Sequence, residues 1–151
     1  MNMPLPSITE QRMKIYRPDL SEINWVYNKL NYYIFDNELR RPPIRLGQWK
    51  GFWGECTGHE DFTNPGTFCS MKLSDKWFCV QWMVTTLAHE MAHQYEWDIV
   101  GDYYESRGRE RRMTHRAAFF LYRDRMAEYG ISLKTSHGQK RWFRHQDFTK
   151  C

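Results

Sequence analysis

The stretch His89-Glu90-Met91-Ala92-His93 reads His-Glu-x-x-His within a segment of helical periodicity. Histidines at positions i and i+4 lie on one face of a helix, close enough to bind one metal ion. Glu90 lies beside them, where a carboxylate can accept a proton from metal-activated water. By chance alone, roughly one or two chains per hundred of this composition would contain the motif, so the surrounding sequence has to support this interpretation.

The residues around the motif predict a helix over about 78–97. Val80, Val84, Leu87 and Met91 recur at helical spacing and are expected to form its buried stripe. The two motif histidines fall beside that stripe, on a neighbouring face. A histidine pair that served only packing or solvation would lie within the stripe or face solvent, so this placement favours a cleft.

Upstream of the motif, the chain predicts one helix and three short strands. Asp19 and Glu22 have the spacing of a capping box, and the apolar repeat after them predicts a helix from about 20 to 36. Three strand candidates follow, at residues 44–49, 53–57 and 67–73. Because their connections are short, we expect a three-stranded antiparallel sheet.

Downstream of the motif helix, residues 98–112 are polar and predict a connection. A last helix is expected to begin after a cap at Thr114 and to stop at Gly130. The pattern predicts an α+β fold with a flexible arm, a domain and a basic, aromatic tail, at residues 1–18, 19–130 and 131–151.

A catalytic zinc site ordinarily has three protein ligands and one open position, so a third ligand is expected downstream of His93. His115 is the preferred candidate, because a helix packed on the core would hold its backbone. Asp102 is the next. Glu96, one turn beyond His93, is carried along the helix axis and is expected to orient a ligand rather than bind the metal. Three carboxylates of the connection are candidates: Asp98, Asp102 and Glu105.

Composition restricts the class of protein. Hydrophobic residues make up 41% and aromatic residues 17% of the 151 residues, which predicts a folded core. No apolar run is long enough for a transmembrane helix, and residues 1–10 lack the apolar centre of a signal peptide. We therefore expect a cytoplasmic monomer with no membrane partner.

The cysteines are few and widely spaced. They form no Cys-x-x-Cys pair, which argues against a zinc ribbon. We expect reduced thiols, three of them buried and the last one free at the terminus: Cys56, Cys69, Cys79 and Cys151.

Basic charge is concentrated at the end of the chain. Residues 134–151 hold five cations and one acid, a net charge of +4, which equals the net charge of the whole chain. Lys140, Arg141 and Arg144 are candidate contacts to nucleic-acid phosphates, and Trp142 is a candidate to stack on a base. An ordinary solvated basic surface would explain the same residues.

These blocks together resemble the SprT-like metalloproteases, a family that includes bacterial SprT and eukaryotic Spartan. The resemblance covers about residues 23–126. It rests on Gly54 with Cys56, on Cys69-Ser70-Met71-Lys72-Leu73-Ser74, on Thr86-Leu87-Ala88-His89-Glu90-Met91-Ala92-His93, and on His115 with Phe119. The chain departs from the family in reading His115-Arg116 where His-Gly is usual.

The resemblance implies a minimal zincin-like fold with one Zn²⁺ on His89, His93 and His115, and with Glu90 as general base. It implies hydrolysis of peptide bonds, and it makes DNA or DNA-associated protein an expected partner, because eukaryotic members remove proteins crosslinked to DNA. So short a chain could come from a bacterium, a mobile element or a phage; a phage protein would act in the host cytoplasm.

The predicted function is therefore a zinc endopeptidase that acts on unfolded or DNA-associated proteins. The alternative is a nucleic-acid-binding protein whose zinc site is structural or degenerate. An extended peptide is expected to add to an exposed sheet edge, and strand 67–73 is the expected edge. The spacing selects no oxyanion-stabilising residue from three tyrosines: Tyr95, Tyr103 and Tyr104.

Overall fold

A computed structural model describes residues 15–60, 67–100, 104–106, 110–112 and 115–135. Its elements in chain order are α1 (Leu20–Tyr33), β1 (Ile44–Gly47), β2 (Gly54–Glu60), β3 (Thr67–Ser74), α2 (Val80–Gln94), a π-helical segment (Tyr95–Val100), β4 (Tyr104–Ser106), β5 (Glu110–Arg112) and α3 (Arg123–Glu128). Three helices and a three-stranded sheet occupy separate stretches of the chain, which confirms the predicted α+β class.

Helix α1 begins at the predicted cap. The side chain of Asp19 accepts a hydrogen bond of 2.8 Å from the backbone N–H of Glu22, which satisfies one free donor of the first turn. The helix ends at Tyr33, earlier than expected, because Asp36 and Asn37 adopt positive φ angles of 57° and 59° that a right-handed helix excludes. Its buried face consists of Ile23, Tyr27, Leu30 and Asn31.

The three-stranded sheet is mixed, with the strand order β1-β3-β2. Strand β2 runs antiparallel to β3, with Cys56 opposite Met71, whereas β1 runs parallel to β3, with Ile44 opposite Met71. The predicted all-antiparallel sheet is therefore wrong at β1.

The connection between β1 and β2 explains this topology. Residues 48–53 cross the end of β3, where the carbonyl groups of Gly47 and Trp53 accept hydrogen bonds from the N–H groups of Asp75 and Ser74. The chain therefore does not turn back directly on β1. The parallel pairing brings apolar side chains of β1 into the same core as those of β3. Strand β3 is central, so the prediction of strand 67–73 as the exposed edge is wrong, because β1 and β2 form the two edges of this sheet.

Helix α2 carries the motif and is the most buried element. At the start of the helix, the buried apolar residues lie on a different face from the predicted one. Val80 is half exposed, whereas Trp82, Met83, Leu87 and Met91 are fully buried. After Gln94 the backbone widens from α to π geometry, a change that hydrophobic periodicity does not reveal.

The region between α2 and α3 differs from the prediction. Strands β4 and β5 form a small antiparallel sheet, with Tyr104 opposite Arg112, where the sequence predicted only a connection. Residues 115–122 form turns, so the regular last helix begins at Arg123 rather than near Thr114, which lies outside the described residues. Gly130 ends this helix as predicted, with a φ of 77°.

The first residues after α3 belong to the core. Ile131 and Leu133 are each 2% exposed and pack against the other buried apolar side chains. Lys140, Arg141, Trp142 and Arg144 lie outside the described residues, as does the start of the arm. Among the residues that the structure describes, no helix is long and apolar enough to cross a membrane.

The cysteines only partly follow the prediction. Cys56 and Cys69 are free thiols. Cys79 is disulfide-bonded, so the prediction of reduced thiols is wrong at that position. Cysteine spacing alone cannot reveal a pairing between distant positions.

Candidate metal centre

Three histidines from two parts of the chain meet beside α2. His89 and His93 are one helical turn apart, and His115 reaches them from the turns that precede α3. One ring nitrogen of each lies within 4.8 Å of the others. The ring centroids are 4.8 to 5.4 Å apart. The predicted trio therefore does come together, and it could hold a metal ion.

Hydrogen bonds determine which nitrogen of each α2 histidine is available. Nδ1 of His89 lies 2.9 Å from the carbonyl oxygen of Lys134, which can only accept, so this nitrogen carries the proton. Nδ1 of His93 lies 2.6 Å from Oε1 of Glu96, and an ionised carboxylate likewise only accepts. In its neutral form, each ring then has its lone pair on Nε2, the form in which imidazole binds a metal.

The third histidine is favoured in the same neutral form. Partial burial and the neighbouring His93 both lower the pKa of His115. The ring of Phe119, which is 1% exposed, contacts all three imidazoles, with centroids 4.5 to 4.9 Å away. The trio is thus packed against a buried apolar ring.

Glu90 lies at the side of this trio. Its Oε1 is 4.0 Å from Nε2 of His89, outside hydrogen-bond distance but close to the point that a metal would occupy. Burial, together with the charge of Glu55, raises the pKa of Glu90 to about 8, and a hydrogen bond from the Cys56 backbone opposes this shift. A cation on the histidines would lower the pKa again by attraction. A carboxylate whose pKa lies near neutral pH is suited to act as a general base.

Strand β2 packs closely enough on α2 to hold Glu90 in place. A Cβ atom added at Gly54 would lie 2.8 Å from Cγ2 of Thr86 and 3.2 Å from Cγ of Glu90, so only glycine allows this approach. Two residues on, the N–H of Cys56 donates to the Glu90 carboxylate. The Gly-x-Cys segment thus supplies both the space and a hydrogen bond.

The backbone of β2 is arranged to accept another strand. The Trp53 carbonyl accepts a hydrogen bond of 2.8 Å from the Ser74 N–H, so the backbone groups of alternate residues from Trp53 onward face β3. The residues between them, Gly54, Cys56 and Gly58, direct their N–H and C=O groups away from β3, toward the edge beside α2. One of these groups, the Cys56 N–H, is used by Glu90.

These residues fit a zinc ion. Three neutral imidazoles form a known catalytic ligand set for zinc, which then keeps an open fourth position. Two of the three have the Nδ1 partner that metal-binding histidines ordinarily show, one a carboxylate and one a backbone carbonyl.

Glu96 and Phe119, both singled out from the sequence, lie at the site. Lys134 was missed, and no sequence signal could have shown it, because the contact uses a backbone carbonyl. Asp98 is directed away from the trio, since it accepts hydrogen bonds from Gln94 and Cys69.

The remaining candidates are two carboxylates and three tyrosines: Asp102, Glu105, Tyr95, Tyr103 and Tyr104. The hydroxyl of Tyr95 lies 3.4 Å from that of Tyr122, within an aromatic cluster of the core. The structure does not describe Asp102 or Tyr103, nor the side chains of Glu105 and Tyr104.

The sequence matches no protein-family model and no curated protein.

Proposed function

We propose that this chain is a zinc-dependent endopeptidase of the SprT-like type. The observation that carries the proposal is the convergence of His89, His93 and His115 with a buried carboxylate, Glu90, 4.0 Å from a ligand nitrogen. When bound, Zn²⁺ would supply a Lewis acid that lowers the pKa of water toward about 7 and polarises the peptide carbonyl.

The protein's own residues divide the remaining work. The three imidazoles would hold the metal, each through one ring nitrogen. Glu90 takes the proton of the attacking water and passes it to the leaving amine. Its carboxylate is kept in place by the Cys56 N–H on one side and by the close backbone of Gly54 on the other.

The substrate is an extended polypeptide that adds to the edge of β2. The Cys56 carbonyl and the backbone groups of Gly58, which face away from β3, would pair with it, while the Cys56 N–H stays on Glu90. Backbone pairing recognises any sequence, so we expect weak sequence selectivity. A folded protein cannot offer a free extended segment, so unfolded proteins should be the better substrates.

Two digests test this proposal. Casein, which lacks a stable fold, should be cut. A compact folded protein should be cut only after it has been denatured. A chelator should stop cleavage, and a small excess of zinc should restore it. Cleavage that survives complete zinc removal would exclude the proposed chemistry. Equal cleavage of folded and unfolded forms would exclude the edge-pairing account of substrate choice.

The basic, aromatic tail supports the further proposal that substrates are DNA-associated. Replacing Lys140, Arg141 and Arg144 with Glu should weaken binding to a single-stranded oligonucleotide, and wild-type binding should weaken with salt. Absence of wild-type binding at low salt would assign these residues to ordinary solvated surface.

A further inference from the structure

Glu96 is the most deeply placed charged residue at the site. Its side chain is completely buried, and its Oε1 lies 2.6 Å from Nδ1 of His93. It belongs to the first turn of the π-helical segment, immediately after α2 ends. Segments of π geometry are rare and recur at functional sites.

The π-helical segment is held from two sides. The ring of Trp97 packs on β2 at Gly58, where an added Cβ would come within 2.3 Å of the ring. The carboxylate of Asp98 accepts hydrogen bonds from Gln94, at 3.1 Å, and from the Cys69 thiol, at 3.4 Å. The two residues that follow Glu96 are thus held by packing and by hydrogen bonds, which stabilises the turn that places Glu96 beside His93.

The burial of this carboxylate has an energetic consequence. A buried charge is costly unless it is hydrogen-bonded and compensated. The N–H of His93 supplies a hydrogen bond, and a cation on Nε2 of the same ring would add compensating charge.

The two α2 histidines differ in how they are held. His89 is anchored by a backbone carbonyl, that of Lys134, which a substitution cannot remove, whereas His93 is anchored by a side chain. We propose that Glu96 is a positioning residue that holds His93 in the Nδ1–H form, with Nε2 directed at the shared metal position. This proposal rests on the proposed metal site but not on peptide cleavage.

The tautomer of His93 tests the proposal without any metal. Long-range ¹H–¹⁵N spectra of the metal-free protein at about pH 8, where histidine is ordinarily neutral, report which nitrogen carries the proton. In the wild type, His89 and His93 should both be protonated at Nδ1. In Glu96→Ala, His93 should move toward the Nε2–H form, while His89 should stay unchanged and report an intact fold. An unchanged His93 tautomer in this variant would overturn the proposal.

Zinc affinity provides the second readout. Glu96→Gln keeps the shape and one acceptor oxygen, and should raise the zinc dissociation constant by about 10- to 100-fold, with a larger rise for Glu96→Ala. The matched control is Glu128→Gln, at an exposed glutamate of α3, which should bind zinc like the wild type. Equal affinity of Glu96→Gln, Glu96→Ala and wild type would contradict the proposal. A wild type that binds no zinc would contradict the proposed function instead, and the tautomer measurement would still decide the role of Glu96.

Discussion

The ring of Trp97 occupies the space that a side chain at Gly58 would need, because a Cβ atom there would come within 2.3 Å of it. Through this contact the turn that follows His93 lies directly on the edge strand β2. The metal ligands and the strand proposed to bind substrate are thus held in one packed unit.

Gly58→Ala should disturb that unit. The added methyl group forces the Trp97 ring or strand β2 to move, which should cost about 1–3 kcal/mol in the free energy of unfolding. Cleavage should fall, whereas zinc at saturating concentration should still bind, because all three imidazoles are retained. Urea denaturation, with metal analysis alongside, measures both effects. The double variant Gly58→Ala/Trp97→Leu should recover part of the lost stability; purely additive losses would show that the contact is not the cause.

A second close contact concerns Glu90 itself. Gly54→Ala places a methyl group 2.8 Å from Cγ2 of Thr86 and 3.2 Å from Cγ of Glu90. The carboxylate should shift, and kcat/KM for an unfolded substrate should fall on the order of 10- to 100-fold while zinc stays bound. Thr86→Ser removes the methyl group that makes the shortest contact, so adding it to Gly54→Ala should restore part of the activity. No loss of activity in the single variant would mean that Glu90 has room to move.

The sequence predicted the parts of this site that depend on helical spacing. The i, i+4 histidines and the cap at Asp19 are local features, and both follow from the pattern of side chains. The parallel pairing of β1 could not be predicted, because the alternation of β3 is the same whichever strand lies beside it. The π-helical segment and the Lys134 carbonyl contact are features of the backbone, so the types of the side chains do not predict them.

Tyr27 provides a test of the core beneath the site. Its hydroxyl donates a hydrogen bond of 2.7 Å to Oε1 of Gln94, the last residue of α2. Burial raises the pKa of Tyr27 above its ordinary value of about 10. The folded state thus favours the protonated hydroxyl, and this contribution is present below about pH 10 and is lost as pH rises further.

Tyr27→Phe should therefore destabilise the protein by about 1 kcal/mol near neutral pH, because it leaves the Gln94 oxygen without this donor. It should also reduce the fall in unfolding free energy between about pH 9 and 11. Denaturation curves across this range test both effects, with exposed Tyr32 changed to Phe as control. An unaltered alkaline slope in Tyr27→Phe would show that another group titrates.

His115→Ala tests whether the site has its third ligand. Removing one of three imidazoles should lower zinc affinity and abolish cleavage together. His59→Ala is a suitable control, because that imidazole contacts Ser70 on the sheet at 2.7 Å and is not part of the trio. Zinc bound at wild-type affinity in His115→Ala would show that another residue is the third ligand, and Asp102 is the next candidate.

Glu90 is proposed to act as general base at a metal that other residues hold. Glu90→Gln keeps the size and burial of the side chain but removes its ability to accept a proton. Zinc content and turnover of casein should be measured on the same preparation of this variant and of the wild type. We expect about one zinc per chain in both proteins and no cleavage by Glu90→Gln. Turnover by the variant at the wild-type rate would show that Glu90 is not the general base.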